Sequence, residues 1–171
     1  KRFIKVYTGK PFFIWVHCFS THAPYNPSPD RKYTSLFQND GFGIHEELPV
    51  VAMKAAQYCK GAIPQSLSNT YGGIRDPAYF IAQYDRAIRR TDDLIGKIMN
   101  VLEVERRDTQ TIIIISADHG ELFGEHDYYF FHSRFLYEPL IEVPLIFNCP
   151  GVIPQNTIIN VPVSAHLSIA P

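Results

Sequence analysis

Thr111-Ile112-Ile113-Ile114-Ile115-Ser116-Ala117-Asp118-His119-Gly120 is the stretch on which the reading of this chain turns. Four consecutive isoleucines fit a strand buried on both faces, as in a parallel sheet, and ligands in such sheets gather beyond the carboxyl ends of strands. Asp118 and His119 stand at that exit, offering an anionic oxygen and an imidazole nitrogen where the chain turns through Gly120. Both are good donors to a divalent cation, although a complete site takes roughly four to six donors or more. The alternative is that Asp118 caps the turn while His119 packs beside it.

Working outward, Asp76-Pro77 gives an N-cap followed by proline at the first helical position. A helical stripe then recurs at Phe80, Tyr84, Ile88, Thr91, Ile95, Ile98 and Leu102, which predicts a long helix feeding the isoleucine strand. Downstream, Glu142-Val143-Pro144-Leu145-Ile146-Phe147-Asn148 reads as a strand stopped by Pro150-Gly151, and the run from Glu121 to Tyr137 as irregular and aromatic. Upstream, Pro11 to Phe19, with Phe12-Phe13-Ile14-Trp15-Val16, reads as a central strand, followed by a proline-broken loop over Asn26 to Asp30. A short helix is expected within Glu46 to Lys60, stopped by Gly61, and a polar surface loop from Pro64 to Arg75. The sum is an α/β fold over residues 1–171 as one domain, with a mostly parallel sheet flanked by helices.

Sixteen basic against seventeen acidic residues leave a net charge of −1, so no global field draws the chain to nucleic acid or an anionic membrane. The cysteines, Cys18, Cys59 and Cys149, are odd in number and too widely spaced for a disulfide framework or a Cys-x-x-Cys zinc site, and are expected as buried thiols. No apolar run is long enough to span a bilayer. A P-loop, a dinucleotide fingerprint and a Gly-x-Ser-x-Gly elbow are all lacking, which removes those enzyme classes.

Further candidates flank the central stretch. His22, at the exit of the second apolar run, would reach the same rim as Asp118 and His119 in a parallel sheet. An imidazole there suits proton transfer to a leaving oxygen or a charged clamp on an anion; the alternative is a structural hydrogen-bonding histidine. His126 and His132 lie close behind His119 but match no fixed zinc spacing, so solvated surface histidines remain the alternative. Arg134 would hold an anion's oxygens, or be merely solvated.

Three ordered blocks carry a resemblance to the sulfatase family of the alkaline phosphatase superfamily. Ser116-Ala117-Asp118-His119-Gly120-Glu121 with Gly124-Glu125-His126, Leu136-Tyr137-Glu138 and Val143-Pro144-Leu145-Ile146 resembles its second metal-binding block and the strand after it. Thr21-His22-Ala23-Pro24-Tyr25 resembles its His-x-Pro loop, and Tyr84-Asp85-Arg86-Ala87-Ile88 with Asp92 and Ile95-Gly96 its preceding helix. The resemblance implies an incomplete alkaline-phosphatase-like fold and a metal-dependent hydrolase of small-molecule or saccharide sulfate esters. Asp118 and His119 would be ligands of one divalent cation, calcium by family analogy, with manganese or zinc also suited to imidazole. His22 and His132 would contact the reacting ester, His132 standing near the place of a family lysine, with Arg134 second as a substrate contact. The formylglycine nucleophile is made in a Cys/Ser-x-Pro-x-Arg motif that none of the three cysteines begins, so the chain is expected to be a middle-to-C-terminal portion, inactive alone, with that motif in a missing N-terminal part. The competing readings are a phosphodiesterase or phosphonate monoester hydrolase of the same superfamily, with His126 or His132 on a second metal, and a non-catalytic binding module.

Overall fold

In the computed structural model the described residues are 10–25, 30–37, 47–52 and 60–164. They fall into two compact units, one within Lys1–Phe13, Gly96–Gly120 and Phe135–Pro171, the other within Ile14–Ile95 and Glu121–Arg134. The helices are α1 (Arg31–Thr34), α2 (Gln65–Thr70), α3 (Pro77–Val104) and α4 (Glu138–Ile141). The strands are β1 (Val50–Val51), β2 (Ile63–Pro64), β3 (Ile113–Ser116), β4 (Leu122–Phe123), β5 (Tyr129–Phe131) and β6 (Leu145–Asn148).

The long helix forms where the sequence places it. The Asp76 carboxylate accepts from the Ala78 backbone N–H at 2.9 Å, satisfying one of the donors that a helix start leaves without an intrahelical partner. At the other end Arg106 takes a left-handed φ of 52°. Its N–H reaches the Glu103 carbonyl at 2.9 Å and the Arg107 N–H reaches that of Leu102 at 2.8 Å, the paired bonds of a Schellman end. A non-glycine residue carries that turn at a steric cost.

In the second unit α3 buries Ala78, Phe80, Ala82, Gln83 and Ala87. Phe80 joins Tyr25, Ile63, Leu67 and Phe130 in the core. The rings there meet edge to face, Phe80 and Phe130 at 5.2 Å and Tyr25 and Tyr84 at 5.5 Å, the geometry their quadrupoles favour. Part of the expected helical stripe does not face a core: Ile88 is 45% exposed. In the other unit Val101 and Leu102 pack with Phe12 and Ile113, and the Arg107 guanidinium lies over the Phe12 ring.

The expected sheet is overturned. Among the described residues helix outweighs strand, and the strands pair in twos: β1 with β2 in parallel, β3 with β6 and β4 with β5 antiparallel. The isoleucine strand exists, but Ile113 faces Asn148 and Ser116 faces Leu145, so its neighbour runs the other way. A parallel return needs a crossover of a dozen residues or so, usually helical, and between β3 and β6 the only α-helix is the single turn of α4. Nor is the strand buried on both faces: Ile112 is 61% and Ile114 42% exposed while Ile113 and Ile115 are half-buried. An apolar run reports hydrophobicity, and the direction and number of its neighbours are set by distant segments.

Three local expectations also change. Residues 11–19 form no strand; Phe13 and Trp15 stand out to solvent, and no described segment pairs with their backbone. The polar run after Pro64 is helical over Gln65–Thr70, closed where Gly72 and Gly73 take positive φ and the Ser68 hydroxyl donates to the Ile74 carbonyl. The aromatic run after Gly120 is a hairpin, β4 and β5, turned through a 3₁₀ segment at Glu125–Asp127. The short helix expected within 46–60 lies largely outside the described residues; those described there include strand β1. Of the cysteines, Cys149 is buried, Cys18 half-buried and Cys59 outside the described residues.

Candidate active site

The second unit gathers two of the histidines singled out by sequence. His22 sits in a turn closed by the Tyr25 N–H donating to its carbonyl at 2.8 Å, and its ring Nδ1 lies 2.6 Å from the Ala23 carbonyl. A carbonyl only accepts, so Nδ1 carries the proton, and in the neutral ring Nε2 carries the lone pair. His132 follows β5 directly, and its ring meets that of His22 edge-on at 5.2 Å between centroids. The Phe19 ring also lies against His22, at 4.9 Å between centroids.

Behind His132 stands a carboxylate that the sequence reading left without a role. Glu121 is 8% exposed, and its two oxygens lie 3.2 and 3.3 Å from His132 Nδ1. The Tyr25 hydroxyl, fully buried, donates to Glu121 Oε2 at 3.1 Å. Burial first, then the adjacent Glu121 charge, pushes the Tyr25 phenol well above its ordinary range, so Tyr25 remains a donor throughout the physiological range. Tyr84 is raised by the same two causes, and burial raises Asp85. Residue type alone did not mark Glu121 and Tyr25. The available signal was an acidic residue immediately ahead of the apolar pair Leu122-Phe123, where burial of the hairpin carries the carboxylate inward.

Arg134 is exposed and holds a left-handed φ of 74°. His126 lies exposed in the hairpin turn, likewise at positive φ.

The other unit holds Asp118 and His119 just past β3. The His119 N–H donates to Asp118 Oδ1 at 3.2 Å, and His119 Nδ1 lies 2.8 Å from the Gly120 carbonyl, which leaves Nε2 with the lone pair in the neutral ring. That Nε2 is 3.8 Å from Asp118 Oδ2. Cation-to-donor distances of about 2.0–2.5 Å let one ion bridge such a gap, so the pair fits two positions of a divalent cation. Both are accessible, the Asp118 side chain being 75% and that of His119 38% exposed. Among the described residues no group of three or more His, Cys, Asp or Glu side chains is gathered to hold a metal ion. The next residue fixes the turn: the Gly120 N–H donates to the Leu140 carbonyl at 2.9 Å, and a Cβ at 120 would lie 1.9 Å from the Pro139 carbonyl oxygen. The expectation that His22 shares a rim with this pair assumed two parallel strands. With 11–19 irregular and β3 paired antiparallel, that argument lapses.

A sequence profile of the sulfatase family matches residues 1–171, and the chain belongs to that family of hydrolases. It is similar to the ulvan-active sulfatase of Formosa agariphila, 29% identical over 90% of this chain and 26% of that protein. The uncharacterized sulfatase YidJ of Escherichia coli is 32% identical over 95% of this chain and 31% of its own length. Arylsulfatase K of Homo sapiens is 35% identical over 84% of this chain and 28% of its own length. The chain thus spans about a quarter to a third of these curated relatives. No solved structure matches it. Among the described residues no helix is long and apolar enough to cross a membrane.

Proposed function

We propose that the chain carries part of the catalytic machinery of a sulfuric ester hydrolase acting on small-molecule or saccharide sulfate esters. Family membership and the names of its relatives support the reaction class. The observation that carries the reading is the edge-on His22–His132 pair, two imidazoles each with Nδ1 turned to an acceptor.

In hydrolysis of a sulfate monoester the bond between sulfur and the leaving oxygen breaks and that oxygen must gain a proton. An imidazolium at His22 or His132 gives up its proton at Nε2 to the leaving oxygen, or, kept charged, holds the sulfate oxygens by a charge-assisted hydrogen bond. Arg134 adds a second cationic hold on those oxygens. Asp118 Oδ2 and His119 Nε2 would hold a divalent cation, calcium by family analogy with manganese and zinc also compatible with the donor set. When bound, such a cation would supply positive charge to an anionic group beside Asp118 and His119. The nucleophile is assigned to no residue of this chain, since none of its cysteines begins the Cys/Ser-x-Pro-x-Arg motif of a formylglycine.

The test is turnover of aryl sulfate and aryl phosphonate esters by the intact protein, with metal content measured alongside. His22→Ala and His132→Ala are each expected to lower kcat on the sulfate about 100-fold or more, the usual scale for losing a positioned proton donor. Asp118→Ala is expected to lower both turnover and bound cation. Unchanged turnover in all three variants, or a second bound cation lost with His132, would overturn the reading.

A further inference from the structure

Glu121 has no role in the proposed chemistry, yet among the described residues it is the charged side chain that lies buried. Burying a carboxylate is costly unless donors meet it, and here two do: the His132 ring and the Tyr25 hydroxyl. His132 is brought beside Glu121 by the β4–β5 hairpin, while Tyr25 comes from a turn 96 residues earlier in the sequence. A carboxylate only accepts, so the ring nitrogen facing it must be Nδ1–H. The lone pair, or the transferable proton of the charged ring, is thereby placed on Nε2.

We infer that Glu121 is a positioning residue: its carboxylate fixes the orientation and tautomer of His132, and the Tyr25 hydroxyl holds that carboxylate in place. His22 reaches the same tautomer by a different route, through the Ala23 carbonyl. The two imidazoles therefore both direct Nε2 away from their structural anchors, and only His132 depends on a side chain for it. The catalytic consequence rests on the proposed role of His132. The tautomer itself does not, and can be read without any substrate.

The experiment uses the intact protein labelled with ¹⁵N at histidine, the His132 signals being assigned by their loss in His132→Gln. In the parent, His132 is expected to show a protonated Nδ1 and an unprotonated Nε2 in the neutral ring. Glu121→Ala should lower the share of the Nδ1–H form, while Glu121→Gln, which keeps an accepting oxygen, should retain most of it. The same His132 tautomer, equally well defined, in parent and Glu121→Ala would overturn the inference. Should Glu121→Ala fail to fold, Tyr25→Phe supplies the milder lesion, expected to broaden the His132 signals; parent-like signals there would overturn the placement of Tyr25.

Kinetics supply the second arm. Glu121→Ala is expected to lower kcat roughly tenfold with KM nearly unchanged, as losses behind an acting group commonly do, and to add little in a His132→Ala background, while Glu121→Gln is expected to lose less. Full additivity of the two substitutions would overturn action through His132. Parent-like turnover of His132→Ala would instead refute the catalytic role of His132 given above, leaving the tautomer comparison to decide the role of Glu121.

Discussion

At the scale of single residues, position 120 shows how a side chain that is not there can shape a site. A methyl group at Gly120 would sit at less than bonding-free distance from the Pro139 carbonyl oxygen, and that oxygen is backbone, which cannot swing aside. Gly120→Ala is therefore expected to cost about 2–4 kcal/mol and to move the adjoining Asp118 and His119. Chemical denaturation of parent and variant measures the first effect; a midpoint within error of the parent would contradict it. The Asp-His-Gly turn was legible in the sequence because it stands directly at the exit of the isoleucine run, where a glycine marks a turn. Glu121 was not, because a carboxylate's burial depends on a hairpin that folds over it and on a tyrosine from a remote loop.

Between elements, one ionic cluster ties α1 to α3. Asp93 on α3 receives Lys32 and Tyr33 from α1 and Arg89 from its own helix. The hydrogen bond from Lys32 first, then that from Tyr33, holds the Asp93 carboxyl down to about 2. Because the folded value lies below the unfolded one, the resulting stability is fully present above the ordinary carboxylate range and is lost as the pH falls toward about 2. Asp93→Asn is expected to flatten the difference in stability between pH about 4 and pH about 2, read as the thermal midpoint across that window. Parallel curves for parent and variant would dismiss the cluster as a stabilising tie. The helix carrying Asp93 was readable from its Asp-Pro start and its periodicity, since helical contacts are local. Helix α2 was not, because a polar segment without an apolar stripe gives no period, and its closure relies on glycines at positive φ and a serine bond to a carbonyl six residues on.

For the molecule as a whole, the described surface carries an unusual load of large apolar side chains, Phe13, Trp15, Leu136, Ile158 and Ile159 among them. Trp15 is the single tryptophan and is 78% exposed, so the fluorescence of this chain is expected to be that of a hydrated indole, strongly quenched by acrylamide. A blue-shifted, poorly quenched emission would contradict the exposed placement of residues 13–16.

Local chemistry was within the reach of the sequence by itself: the capped helix from Pro77, a strand within the isoleucine run, a second at Leu145–Asn148, the Asp118-His119-Gly120 turn and the three blocks that mark the sulfatase family. Each of these is specified by residues near one another along the chain. Strand direction, the irregular course of 11–19, and the assembly of His22, His132, Glu121 and Tyr25 were decided by tertiary structure alone. The reason is physical: hydrophobicity and helical period are written in neighbouring residues, whereas which strand lies alongside, and which carboxylate is buried beneath which imidazole, depends on contacts between segments that the chain brings together only on folding.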